Sequence, residues 1–242
     1  MTTRLPGRLV PLLRRGDRLA CVLLPGAGGG LHPYLRLAAA LGKTHNVAAV
    51  RAAGLLPDEE PELSIAEMAD AAARALDADG TVPAAVFGWS LGGSVAWELC
   101  VRLAERGHLP DLVLVDASPL PRRATAEEDA RVRETIVGML GPRPDPATVE
   151  RVRRVFDTQV AALADYRADR PYAGRVLMLM CTDEEFASFR AGAEARWREL
   201  APDLSAGRLD AGHFDVFDPE RLPQLVDEVT PFLGRASGAV LR

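Results

Sequence analysis

The chain of 242 residues has few of the residues that staple, ligate or anchor a protein. Its three cysteines, Cys21, Cys100 and Cys181, are an odd number, and each sits in an apolar segment. Buried, reduced thiols are therefore expected, rather than disulfides or a cysteine-held metal. Cationic excess is absent too: 29 Lys and Arg face 34 Asp and Glu, for a net charge of −5. No basic field exists to hold nucleic acid or an anionic membrane, and neither is an expected partner. No apolar run approaches the roughly 18 residues of a membrane span. The first twenty residues carry Arg4, Arg8, Arg14, Arg15 and Arg18 among short apolar pairs, without the unbroken apolar stretch of a secretory signal. A soluble, cytoplasmic protein is the expectation. No repeat, low-complexity tract or linker divides the chain, and its length suffices for a core without staples.

Short apolar runs alternate with helical periods along the chain. The runs are Leu19 to Leu24, Val47 to Val50, Ala84 to Phe87, Leu112 to Val115 and Val176 to Met180, with Gly207 to Asp210 as a last strand. Runs this short and this free of polar residues suit parallel strands covered on both faces. Helices are expected at about 33–42, 65–78, 91–106, 185–200 and 219–234, the last with Asp218 as cap and Pro219 at its first position. The pattern predicts an α/β fold, a mostly parallel sheet with helices on both faces, whose site lies at the carboxyl ends of the strands. Between Pro119 and Pro171 no strand appears, and helices at about 126–140 and 147–168 flank Gly141-Pro142-Arg143-Pro144-Asp145-Pro146. An insertion there would lie over the site as a helical lid, or be an ordinary packed hairpin.

The most specific signal is Gly88-Trp89-Ser90-Leu91-Gly92-Gly93, between the strand ending at Phe87 and a helix starting near Leu91. A serine at such a turn is forced into a strained conformation, and small residues two positions either side let neighbouring backbone approach. Ser90 is the candidate nucleophile. It needs a base, and only four histidines are available. His45 precedes a strand and His108 follows the helix after Ser90, so both read as solvated loop residues. His32, after a glycine-rich loop, is a possible substrate contact. His213, in Asp210-Ala211-Gly212-His213-Phe214, follows the last strand and fits a base reaching back over the sheet.

Two carboxylates compete for the role of acid. Asp116 ends the strand Leu112 to Val115 inside an apolar frame, where an unpaired carboxylate is costly and a partner is implied. Asp183 follows Val176 to Met180, but with Glu184 and Glu185 it reads more as the acidic start of a helix. Asp116 is preferred. The oxyanion of an acyl-transfer intermediate would take the backbone N–H of Leu91 and one from the loop Pro25-Gly26-Ala27-Gly28-Gly29-Gly30, with Ala27 the expected donor. The same loop could open a dinucleotide fingerprint, but Leu31 stands where its third glycine belongs. No cofactor and no metal are expected.

Leu24-Pro25-Gly26-Ala27-Gly28-Gly29, then Gly88-Trp89-Ser90-Leu91-Gly92-Gly93 with Val95-Ala96-Trp97-Glu98, then Leu112-Val113-Leu114-Val115-Asp116-Ala117-Ser118, and finally Gly212-His213-Phe214 resemble one family. It is the α/β-hydrolase thioesterases of nonribosomal peptide and polyketide synthases, and the likeness runs over about residues 19 to 234. The resemblance implies one α/β-hydrolase domain over 1–242, with a lid at about 119–171 and a tail at 235–242. It implies Ser90 as nucleophile, His213 as base and Asp116 as acid. The implied partner is an acyl or peptidyl carrier protein, whose phosphopantetheine thioester delivers the chain for hydrolysis or macrocyclisation. Product-releasing domains of the family place the acid as Asp116 is placed; editing enzymes usually place it one strand later, where Asp183 lies. The start at Met1, without an upstream carrier region, is that of a free-standing enzyme. A carboxylesterase with the same triad, or a non-catalytic docking module, is the rival expectation. Arg122, Arg123, Arg151, Arg153 and Arg154 of the insertion could meet an acidic carrier, though a solvated helix face is the simpler reading.

Overall fold

The computed structural model describes residues 7–184, 187–190 and 192–234. Seven strands are linked by helices: β1 (Leu9–Leu13), β2 (Ala20–Leu24), α1 (Tyr34–Leu41), β3 (Asn46–Val50), α2 (Ile65–Asp79), β4 (Pro83–Trp89), α3 (Leu91–Glu105) and β5 (Asp111–Val115). There follow α4 (Ala126–Gly138), α5 (Pro146–Asp165), β6 (Val176–Cys181), α6 (Ala187–Arg190), α7 (Ala193–Leu200), β7 (Leu204–Leu209) and α8 (Leu222–Gly234). They form one sheet in the order β1-β3-β2-β4-β5-β6-β7. Only β1 runs antiparallel to its neighbour; every other pairing is parallel.

Strand side chains alternate between two cores. Cys21 and Leu23 of β2, Val113 and Val115 of β5, and Leu177 and Leu179 of β6 pack with α1 and α8 through Leu37, Leu41, Leu225 and Val229. Val22 and Leu24, Leu112 and Leu114, and Val176 and Met178 face the other way, onto α2, α3 and α7. There the Trp97 and Trp197 rings meet at 4.6 Å. Trp97 and Glu98, part of the sequence resemblance, are therefore scaffold: Glu98 is 6% exposed and is held by Arg102 and Arg170 at 2.8 and 2.7 Å. The three cysteines are free and buried, and burial pushes the Cys21 thiol up to about 12.

The differences from expectation lie at the sheet's edges and in the last third. β1 was not anticipated: its centre is Pro11 and no residue of it is fully buried, features that an edge strand tolerates and a pattern search rejects. β7, the opposite edge, begins at Leu204 rather than Gly207, and its exposed Ser205 and Ala206 hide it from an apolar search. The helix expected at 185–200 starts on residues outside those described and is broken into α6 and α7, with Gly192 at φ +74° between them. The last helix begins at Leu222, not at Pro219, because turns closed by Arg221 N–H and Leu222 N–H on the Asp218 carbonyl precede it, and Pro223 takes the first-turn place. The tail expected at 235–242 lies outside the described residues. Among those residues no helix is long and apolar enough to cross a membrane.

The tightest point of the fold is where β4 turns into α3. A Cβ on Gly92 would lie 2.1 Å from the Leu24 carbonyl oxygen, and one on Gly88 2.3 Å from that of Gly92. Backbone, not a flexible side chain, would have to move. Gly92→Ala is therefore expected to cost about 3 kcal/mol or more. Gly138, at the exposed end of α4, has nothing within 4 Å of a would-be Cβ, and Gly138→Ala should stabilise by about 0.5–1 kcal/mol. Urea midpoints of the two variants check both signs.

Candidate active site

Register brings the site residues to one edge of the sheet. Trp89 pairs with Val115 and Val115 with Leu179, so Ser90 and Asp116 both stand one residue beyond adjacent strand ends. Both have left the ordinary backbone regions: Ser90 has φ 56° and ψ −126°, and Asp116 has φ 45°. Each is a strained conformation for a residue with a Cβ. Hydrogen bonds hold them there, Ser90 N–H to the Val115 carbonyl at 2.9 Å and Asp116 N–H to that of Leu179 at 2.8 Å. The third member arrives from the turn after β7. Gly212 N–H donates to Asp215 Oδ1 at 2.5 Å, and the His213 ring lies 5.1 Å from that of Trp89 and 5.0 Å from that of Phe214.

The three side chains form a continuous line. His213 Nε2 is 3.0 Å from Ser90 Oγ, and His213 Nδ1 is 2.6 Å from Asp116 Oδ2. A carboxylate only accepts, so Nδ1 carries the proton and Nε2 is left to accept from the serine hydroxyl. Asp116 is fully buried. Burial pushes its carboxyl up, but hydrogen bonds from Arg190 and His213, and their charge, outweigh this and hold it well below the usual carboxylate range. Asp183 does not occupy this place; its Oδ1 accepts from Arg190 at 2.5 Å.

The loop after β2 is fastened from two sides. Gly26 N–H donates to the Tyr34 hydroxyl at 3.1 Å, and Gly28 N–H donates to Gln159 Oε1 of α5 at 2.8 Å. Between them lies Ala27. Among the described residues neither the Ala27 amide nor the Leu91 amide has a hydrogen-bond partner. Beside the loop a cavity of about 250 Å³ is lined by Ala27, Leu55, Trp89, Ile136, Leu140 and Val152, with His32 at its rim. Another of about 300 Å³, lined by Arg18, Asn46 and Val82, sits at the amino ends of β2 and β3, the far end of the strands from Ser90.

The remaining histidines are not drawn in. His108 is exposed. His45 is not the solvated residue expected: it is 3% exposed, next to Thr44 Oγ1 at 2.9 Å, and burial pushes its imidazole down. The insertion's arginines are spent inside the molecule. Arg122 pairs with Asp129, Arg153 with Glu134 and Arg154 with Glu60, while Arg123 and Arg151 donate to the Ala164 and Leu55 carbonyls. Two functional neighbours escaped the sequence reading, Arg190 and Gln159. A buried carboxylate in an apolar frame does announce a cationic partner, and that signal could have led to Arg190; nothing local marks Gln159. Among the described residues no group of three or more His, Cys, Asp or Glu could hold a metal ion.

A mostly parallel sheet with a serine on a strained strand-to-helix turn and a histidine after the last strand defines an α/β-hydrolase. The family follows from comparison: the thioesterase domain model matches residues 19–233, and the chain belongs to that family, whose members are hydrolases acting on thioesters. It is similar to a dimodular nonribosomal peptide synthase of Bacillus subtilis (strain 168), 24% identical over 251 residues, which take in 90% of this chain and 10% of the synthase. The chain thus spans about a tenth of that relative's length. Among solved structures, the NocB thioesterase domain from the nocardicin cluster is 28% identical, with a TM-score of 0.71 over 89% of this chain and 93% of its own. YbtT, a type II thioesterase from the yersiniabactin pathway, is 21% identical, also at 0.71, over 93% of this chain and 99% of its own.

Gln159 gives the site a test that needs no substrate. Gln159→Leu leaves a buried amide without its acceptor, for an expected loss of about 1–3 kcal/mol. Hydrogen exchange at Gly28 and Gly29 should accelerate more than at β4, which a mass-spectrometric exchange series reads directly.

Proposed function

We propose that the enzyme takes an acyl or peptidyl chain from the phosphopantetheine thioester of a carrier protein onto Ser90 and releases it to water as the free acid. The observation that carries this is the unbroken line Ser90 Oγ, His213 and Asp116 at 3.0 and 2.6 Å, in a chain of the thioesterase family. His213 Nε2 removes the hydroxyl proton as Oγ attacks the thioester carbonyl, and Asp116 steadies the imidazolium that forms. The amides of Ala27 and Leu91, free of other partners among the described residues, are the donors for the oxyanion. The intermediate expels the pantetheine thiol, which takes the proton from His213. A water then enters, is deprotonated by the same nitrogen and opens the acyl-enzyme.

The apolar cavity beside Ala27 is the natural seat of the acyl chain, and its walls come from both the loop after β2 and the helical insertion. Ile136 and Leu140 belong to the α4 end, and Val152 belongs to α5. The two helices therefore serve as a lid, in contact with the oxyanion loop through Gln159. Asp116, on the strand after the nucleophile, supports product release rather than editing as the role, in the way the family resemblance implies. The arginines of the lid, already engaged by acids and carbonyls of this same chain, lend no support to their being the carrier-binding face.

Intact-protein mass spectrometry after brief incubation with a panel of acyl-pantetheine thioesters tests the reading. A transient adduct is expected in the wild type and none in Ser90→Ala. Asp116→Asn should lower turnover by about 10⁴-fold, and Asp183→Asn by far less. Product masses separate free acid from ring. Faster turnover of simple oxygen esters would favour a carboxylesterase, and no adduct with any thioester would sink the reading. Because Asp116 stays ionised far below the range in which an imidazole titrates, the acid limb of kcat/KM should carry one ionisation, activity rising with pH as the base loses its proton.

A further inference from the structure

The buried carboxylate of Asp116 is held by more than its histidine. Cys181 N–H donates to Oδ1 at 3.1 Å. Arg190 takes both oxygens, Nε to Oδ1 at 2.6 Å and Nη2 to Oδ2 at 2.8 Å. The guanidinium is itself anchored, donating from Nη1 to the Asp183 carbonyl and from Nη2 to Asp183 Oδ1, both at 2.5 Å. Its side chain is 11% exposed. Oδ2 thus receives the arginine and His213 Nδ1 together, and the two-pronged contact stops the carboxylate from turning.

The geometry points to Arg190 as a positioning residue that clamps Asp116 and limits how strongly that carboxylate favours the charged imidazole. The inference rests on the reading of Ser90, His213 and Asp116 as a catalytic triad. A carboxylate beside an imidazole stabilises its protonated form; a guanidinium on the same carboxylate opposes this. Behind the imidazole lies a cluster of groups that the Cys181 thiol at the end of β6 feels together: Asp116 after β5, Asp183 beyond β6, Arg190 on α6, and Asp215 on the histidine's own turn. Burial pushes the Cys181 thiol far up, so it is neutral. Among the described residues that cluster holds one cation and three acids, and Arg190 is its member whose charge favours the neutral, proton-accepting imidazole. The sequence preference for Asp116 over Asp183 also gains a physical form: one arginine joins the two, so Asp183 acts on the site through it.

The sign can be read in the acid limb of the kcat/KM profile for an acyl-pantetheine thioester. Arg190→Met leaves the imidazole facing uncompensated acids, and the limb should move to higher pH by about one unit or more. Arg190→Lys keeps the charge but not the fork: its limb should stay near that of the wild type while kcat still falls at unchanged KM. Asp183→Asn removes an acid, and the limb should move to lower pH. Opposite shifts in the Met and Asn variants are what a merely structural salt bridge would not produce. Coincident limbs in the wild type and Arg190→Met overturn the inference. If Arg190→Met does not fold, Asp183→Asn decides, an unmoved limb overturning it and a lowered one supporting it. Asp116→Asn separates the two levels: full activity there overturns the triad reading and this inference with it, whereas lost activity with unmoved limbs overturns this inference alone.

Discussion

A single buried carboxylate draws the separate parts of this molecule into one site. Asp116 has no exposed surface and would be intolerable there without partners, since an unpaired buried charge costs several kcal/mol after relaxation. Its partners come from three places: the Cys181 amide at the end of β6, Arg190 on α6, and His213 on the turn after β7. Each of those segments has little reason of its own to sit where it does. α6 has only four residues, too few to be stable alone, and the turn carrying His213 is irregular. The ion pair and hydrogen bonds that neutralise Asp116 thus hold these segments at the edge of the sheet where Ser90 stands.

The other constraint is backbone proximity around Ser90. Parallel register places Trp89 beside Val115, and α3 must start at once. That start passes so close to the end of β2 that position 92 has no room for a side chain. On the proposed reading the reward is a hydroxyl at the strand-to-helix turn, a Leu91 amide without a partner among the described residues, and a positive helix end beside a developing oxyanion. Strain at Ser90 and at Asp116 is thus matched strand for strand, and both are held by backbone hydrogen bonds to the neighbouring strand. A preorganised site of this type spends folding energy on geometry before any substrate arrives.

What could be read from sequence follows from how local each cause is. Ser90 is announced by Gly88 and Gly92 because both sit within two residues of it, although the backbone that leaves Gly92 no room for a side chain is that of Leu24. His213 is legible by topology, being the histidine that follows the last parallel strand, and Asp116 by the cost of a carboxylate between Val115 and Ala117. β1 and β7 were missed or clipped because edge strands are held by backbone pairing and need no apolar run. His45 was misjudged because its position just before β3 reads as a loop, whereas the folded chain leaves it 3% exposed. Arg190 and Gln159 lie 74 and 131 residues from the groups they hold. At those separations no periodicity or spacing carries information; only tertiary packing brings them home.

Those two long-range contacts also bear on how the enzyme works as a whole. Gln159 ties α5 to the Gly28 amide, one residue from Ala27, while Arg190 ties α6 to Asp116, whose other oxygen meets His213 Nδ1. The Gly28 amide and the Asp116 carboxylate are therefore each held by an element outside the central sheet. A displacement of α5 that admits a chain to the cavity at Ile136 and Val152 cannot leave the Gly28 contact untouched, because Gln159 and Val152 ride on the same helix. On the proposed reading, loading the cavity and setting the oxyanion loop are thus coupled through α5, whereas the clamp on Asp116 comes from a different element, α6.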